Sequence, residues 1–561
     1  MKSIIDSTIL FLLVIYSLSI ASCSSKNSID SEENPIDIPA RTEPVQWMVT
    51  ELTFTGSKIY TSNFDDVDLD VIFTHSTGKE LKVPAFWEKG DTWKVRFSPT
   101  LAGSWTYKTV CSDTQNTGLN NKTGNLTCAE YDGDLAIYKH GFVKTAPSNR
   151  YFTYNDGTPF FYLGDTHWNF SANSFSNFKT IIDKRVKQDF TVIQSEPINA
   201  GYNLSDGVTE GDLVFFSKLD ERFQYIADKG FVHANAQLFF VSELGWNRAK
   251  YSDAYLEKLC RYWVARYSAY PVMWTTAQEC DNDSYYERGD NDYYDAVTNP
   301  WKLVANYIHK YDPYQHPQTA HMEQTGFTLA SGSSFKDLPG HTWFAAQWPP
   351  KKNGQLDFNI PKDFWNNGQG KPTVNYEGYY DHLWTNEFGA RSQGWTAYLN
   401  GMYGHGYGAA DIWLYNSTYD MDKPTINDGI YISIADKQTK WKESLEFPSG
   451  YQMGYMHNFF KAIEWWNLTP RFDDPAWFSN NGSWYSVASK NDELIVIYFY
   501  NNINKNTGTL KNLANSQYTV QWFNPITGKY NTAITTTVID NTYNIGNKPD
   551  IKDWVLLVTK K

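Results

Sequence analysis

Two glutamates stand where short apolar runs stop: Glu279 closes PVMWTTAQE (271–279) and Glu377 closes PTVNYE (372–377). A pair of carboxyl groups facing across a cleft suits one chemistry well. The protonated member gives its proton to a leaving oxygen; the ionised member attacks carbon or activates water, which is how glycosidic bonds are cleaved. Other residues near the ends of apolar runs are candidates to hold a sugar: Asp165, Trp168, Glu196, His321, Gln347, Trp348 and His405. Glu377 must stay ionised to attack, so His321, Arg391 or a tyrosine hydroxyl is expected beside it as donor. Asp281, close behind Glu279, reads first as a solvated loop residue; the alternative is a charge that would keep Glu279 protonated. No H-E-x-x-H or His/Cys cluster occurs, and GHGYG (404–408) lacks the spacing of a phosphate cradle, so neither a metal nor a cofactor is expected. Those glycines are read instead as room for close backbone approach. No G-x-S-x-G elbow supports an esterase.

The elements that must position these residues lie between 150 and 465. Eight apolar runs recur there, each followed by a polar or amphipathic stretch: 160–166, 190–196, 231–240, 271–279, 317–322, 341–348, 372–377 and 406–416. Eight such units over about 300 residues predict a (β/α)8 barrel, whose site opens at the C-terminal ends of the strands. Glu279 and Glu377 then stand at the ends of strands four and seven.

The flanks read as all-β. DVDLDVIFTH (66–75) alternates strictly, and ELIVIYFYN, YTVQWFNPITGKY and DWVLLVTK are strands with turn punctuation, Asn524 to Gly528 marking a hairpin. The expected plan is multidomain, α/β with all-β: an N-terminal β-sandwich (43–138), a catalytic barrel (139–465) and a C-terminal β-sandwich (466–561). Asp66, Asp68 and Asp70 are no calcium loop, because Val71 and Thr77 stand where the loop needs Gly and Glu.

Residues 1–22 read as a signal peptide, and Ile20-Ala21-Ser22-Cys23 as a lipobox with Cys23 lipidated; 24–42 is a polar tether. An exported chain, lipid-anchored in a bacterial outer membrane and facing the periplasm or the surface, is expected. Export allows disulfides, and Cys111 with Cys128 is the expected pair; Cys260 with Cys280 is a weaker one. The net charge of −13 disfavours nucleic acid, while an aromatic share of 17%, with 22 Trp and 39 Tyr, suits stacking on sugar rings. The expected partner is an oligosaccharide or polysaccharide; the alternative is a silent barrel that binds surface glycans without cleaving them.

YFTYNDGTPFFYLGDTHW (151–168), RVKQDFTVIQSE (185–196), WTTAQE (274–279), KPTVNYEGYY (371–380) and GHGYGAADIW (404–413), in this order, resemble glycoside hydrolase family 140. These are the apiosidase-like barrels of pectin-degrading Bacteroidota, often flanked by a sandwich on each side. The resemblance implies a retaining glycosidase, with Glu279 as acid/base on strand four and Glu377 as nucleophile on strand seven. Two departures stand out. Ala277-Gln278-Glu279 occupies the place of a Gly-Gly-Asp, and Glu377-Gly378 that of a Glu-Pro. The longer acid implies a different pocket around the leaving group.

Overall fold

Leu69, Val71, Phe73 and His75 lie buried while Asp70, Ile72 and Thr74 between them stay half-exposed, so the alternation becomes a strand over 69–75 with one face inward, and Asp66 at the start of the run ends a short helix (63–66) instead. The computed structural model describes residues 43–561 apart from 147–148, 169, 172–173, 199–203, 206, 236–243, 246–247, 281–298, 323–334, 349–356, 383–384, 413–424, 428–429, 433–439, 483 and 502–503. The signal peptide, Cys23, the tether and Asp281 lie outside the described residues, as do the ends of the expected third and eighth runs.

Seven N-terminal strands follow in order: β1 (Thr50–Thr55), β2 (Leu69–His75), β3 (Glu80–Pro84), β4 (Phe86–Lys89), β5 (Thr92–Phe97), β6 (Gly103–Cys111) and β7 (Thr123–Cys128). They make two antiparallel sheets, β1-β5-β4 and β3-β2-β6-β7. The faces meet through Phe73 of β2, stacked on Phe97 of β5 with centroids 3.8 Å apart.

The expected Cys111–Cys128 disulfide is corrected here. Both thiols are free and buried, and the ladder pairs Cys128 with Gly103, at the far end of the strand that Cys111 closes. Eight residues of extended chain are roughly 27 Å, several times the Cα separation a disulfide spans. Cys260 and Cys280 are free, buried thiols as well.

After a two-residue pair, β8 (Phe152–Thr153) and β9 (Pro159–Phe160), come the parallel strands β10 (Tyr162–His167), β11 (Val192–Ser195), β12 (Val232–Asn235), β13 (Val272–Trp274), β14 (Phe344–Gln347), β15 (Thr373–Glu377) and β16 (Gly404–Tyr407). They form one seven-stranded sheet in the order β13-β12-β11-β10-β16-β15-β14, so the first and last strands are neighbours. The fifth expected run, 317–322, forms no regular strand. It makes isolated parallel bridges instead, Gln318 to Trp274 and His341, and His321 to Ala345. One cause is visible: the Ala345 N–H turns to the Thr319 hydroxyl (3.3 Å), where a regular ladder would offer it a backbone carbonyl.

Alternation along these strands decides what each side chain meets. Gly164 and Gly406 face the Gln194 side chain inside the sheet's curve; a Cβ on Gly406 would lie 2.2 Å from Tyr376 O and 2.6 Å from Gln194 Oε1. That close approach is the use of the GHGYG glycines. The intervening residues point out to the helices.

The 387–399 helix follows β15 and is capped by Asn386, whose side chain accepts from Gly389 N. It packs on a further antiparallel sheet, built around strands 485–490, 494–499, 517–524 and 554–560. The Leu494–Phe499 strand is buried throughout because both its faces are covered: Val496 and Tyr498 pack on the side of the 387–399 helix, where Trp395 stacks on Tyr498, and Ile495, Ile497 and Phe499 pack into a core on the other side. The hairpin at Asn524 to Gly528 forms as expected, with Gly528 at φ +68.

Candidate active site

Glu377 ends β15 and its carboxylate is almost wholly buried. Its Oε1 accepts from the Trp168 indole N–H at 3.2 Å and from the Tyr380 hydroxyl, and the same indole N–H lies 2.8 Å from the Tyr380 oxygen. Its Oε2 lies 3.5 Å from His321 Nε2. The other ring nitrogen, His321 Nδ1, accepts the Glu279 backbone N–H at 3.4 Å. Nδ1 is thereby the acceptor, which leaves the ring proton on Nε2. Burial pushes the His321 pKa down to about 3, so the ring stays neutral at ordinary pH.

Glu279 lies five residues past the end of β13, beyond a backbone that leaves the extended region: Thr276 has φ +34 and Glu279 φ +44. Left-handed backbone costs a non-glycine residue about 1 kcal/mol or more, and such strain gathers where a side chain must be aimed. The Glu279 carboxylate accepts from the Gln347 amide at 3.2 Å. Gln347 in turn is the ladder partner of Glu377, and a bulge between Ala346 and Gln347 marks the spot. Burial first, and then the charges of Glu377 and Glu279, hold the Tyr380 hydroxyl well above the usual phenol range, so it remains a donor. Burial likewise raises Tyr376, helped by the charges of Glu377 and Glu196, so Glu196 belongs to the same inward group.

The fold thus brings Glu279, Glu377, Trp168, His321 and Gln347 together, with Glu196 near Tyr376. Trp348 is fully buried; its backbone N–H donates to Glu377 O (3.0 Å) and its indole to Asp357 O (3.2 Å), so it braces the strand end. Three expectations are corrected. Asp165 points outward and binds Arg185 Nε (2.7 Å) and His167 Nε2 (2.6 Å), fastening the 175–187 helix to β10. His405 is the ladder partner of Asn375 and packs outward against the 387–399 helix at Gly394, away from the sugar side. Arg391 forms a two-pronged pair with Asp553, both contacts 2.8 Å, and binds Gln452 at 2.6 Å instead of Glu377. Tyr380 is the site residue that sequence reasoning left unnamed; its signal is a tyrosine three positions after the strand-end glutamate. Among the described residues no group of three His, Cys, Asp or Glu could hold a metal.

A family model for the apiosidase-like catalytic domain matches residues 146–467, which is more than half of the chain. The chain belongs to the apiosidase-like glycoside hydrolases. A domain family of unknown function matches 43–112, and a model described as the collagen-binding domain of a collagenase matches 478–559. Among solved structures, this apiosidase-like chain is similar to a Bacteroides vulgatus protein assigned as a glycoside hydrolase, at 18% identity and TM-score 0.66, over 92% of this chain and 100% of that one. It is also similar to a glycoside hydrolase family 5 protein from Bacteroides vulgatus (18%, TM-score 0.59, 76% and 94% covered). A further glycoside hydrolase matches at 18% and TM-score 0.58, with 76% and 98% covered. A search of curated proteins found no match.

Proposed function

We propose that the chain is a retaining glycosidase acting on plant cell-wall, pectin-like polysaccharide fragments, with Glu377 as nucleophile and Glu279 as acid/base. The observation that carries this reading is the unequal setting of two buried glutamates on either side of one histidine, which lies 3.5 Å from the Glu377 carboxylate and accepts the Glu279 backbone N–H. Glu377 receives the Trp168 N–H and the Tyr380 hydroxyl, and donors to a carboxylate favour its ionised form, as a nucleophile requires. Glu279 has an amide donor and stands across the same ring. In the proposed cycle Glu279 protonates the leaving oxygen while Glu377 attacks the anomeric carbon. Glu279 then takes a proton from the water that releases the sugar.

This reading places the pair at the mouth of an eight-staved barrel (139–465) in which 317–322 completes the ring, with flanking sandwiches at 43–138 and 466–561. Lipid anchoring at Cys23 in an outer membrane belongs to the same proposal; replacement of Cys23 by Ser should release the protein from the membrane fraction.

The test is sugar release from pectic and hemicellulosic oligosaccharides, with the product anomer followed by NMR. Glu377→Gln and Glu279→Gln are each expected to lose at least about a thousandfold in kcat. Azide is expected to rescue Glu377→Gly as the glycosyl azide of inverted anomeric configuration. Full activity in either Gln variant, or an inverted first product from the wild type, would refute the assignment.

A further inference from the structure

Tyr380 is held from one residue away. The side-chain amide of Gln393, buried on the 387–399 helix, takes both backbone groups of Tyr379: the Tyr379 N–H donates to Oε1 at 2.9 Å, and Nε2 donates to the Tyr379 carbonyl at 3.1 Å. Such a two-point grip resembles one rung of a β-ladder and fixes the peptide in position and rotation. The next residue is anchored too. Asp381 N donates to Gly408 O and Ala410 N to Asp381 O, both at 2.9 Å, and the Ser449 hydroxyl donates to the Asp381 carboxylate. Tyr380 therefore leaves a segment gripped on both sides.

Two glycines make the grip sterically feasible. A Cβ on Gly378 would lie 2.3 Å from Gln393 Oε1, and one on Gly408 would lie 1.9 Å from Cδ1 of the Tyr380 ring. Neither glycine has a left-handed backbone, so both are there for space. Any residue with a Cβ after Glu377, a proline included, meets the Gln393 amide.

We infer that Gln393 is a positioning residue for the nucleophile: its amide, admitted by Gly378, sets the Tyr379 peptide and thereby the angle at which the Tyr380 hydroxyl meets Glu377. This rests on the reading of Glu377 as nucleophile. It makes the Gln393–Gly378 pair one device. Its two members are expected to fail alike, and removing the second after the first is expected to cost little.

The experiment follows reducing-end release from a pectin oligosaccharide digest by the full chain, with kcat and apparent KM measured from pH 4.5 to 8. Gln393→Ala is expected to lower kcat about tenfold with apparent KM within about twofold, and to move the acid limb of kcat/KM to higher pH, because a donor to the ionised carboxylate is loosened. Gly378→Ala should lose a similar factor. The double variant should match Gln393→Ala alone, since the clashing amide is gone. Gln393→Glu keeps the acceptor for the Tyr379 N–H and should recover part of the loss. It also carries the test if the alanine variant does not fold, as checked by its thermal midpoint. If Gln393→Ala and Gln393→Glu keep wild-type kcat and pH profile while Glu377→Gln is dead, the positioning role is overturned and the proposed reaction stands. Losses that multiply in the double variant overturn it as well. If Glu377→Gln is active, the reading of the reaction has failed, and the positioning role falls with it.

Discussion

Acidification should unfold this protein well before its carboxylates are protonated. His233, His321, His341 and His405 are fully sequestered, and burial pushes each down to about 3 from the ordinary 6.5. Above pH 6.5 these rings are neutral in both the folded and the unfolded chain. Below it the unfolded chain takes up protons that the folded chain cannot, so stability falls as pH drops from 6.5 toward 3. At pH 5, one and a half units below the unfolded value, each ring costs about 2 kcal/mol, and the four together about 8 kcal/mol. That is comparable to the ~5–15 kcal/mol by which folded domains are typically stable. Asp220 and Asp312 are held at about 2, each against the cost of burial, Asp220 by Arg266 and Arg96 and Asp312 by His316. Their stabilisation is present above the unfolded value of 3.8 and is lost only below it, so it cannot cause a loss near pH 5. Scanning calorimetry from pH 8 to 4.5 should show a level midpoint down to about 6.5 and a steep fall below, with close to four protons bound on unfolding at pH 5. His405→Gln should reduce that uptake by about one. A level midpoint between pH 7.5 and 5, or an uptake below one proton, would refute the reasoning.

Tyr380→Phe removes a hydroxyl donor from Glu377 and leaves the Trp168 N–H with one acceptor fewer; kcat should fall about ten- to a hundredfold with little change in KM, read by the same oligosaccharide assay. Arg391→Ala leaves Asp553 buried beside the Tyr498 hydroxyl, and should cost about 3–5 kcal/mol, seen as a lower thermal midpoint at pH 7.

Glu279 and Glu377 were legible because each closes a short apolar run, and a parallel sheet turns such ends toward one opening. Which side of a strand faces that opening was not legible. β10 is buried on both faces, residue after residue, because helices cover its outside, and nothing in its polarity separates Thr166, which faces in, from Asp165, which faces out. His405 and Arg391 misled for the same reason: polar groups on the outer face are satisfied by helices and by each other. The cysteine pair misled because the register of β6 and β7 depends on pairing, which spacing alone leaves open. Tyr380 and Gln393 owe their roles to loop and backbone contacts, which leave no periodic trace. The flanking strands were plain wherever one face meets solvent, as in β2.

The Arg391–Asp553 pair also sets an order in time. The two partners are 162 residues apart. At about 5–20 residues per second, synthesis separates them by roughly 8–30 s. Through that interval the helix beside Glu377 lacks the buried carboxylate of the pair, and its guanidinium keeps only Glu387 of the same helix, 3.2 Å away and partly exposed, as a charged partner. A nascent chain halted before Asp553 should therefore hold this helix loosely and offer it to proteases and chaperones. Seating of the helix then waits for one of the last strands to be made, and a stop codon placed shortly before Asp553 would be felt at Glu377.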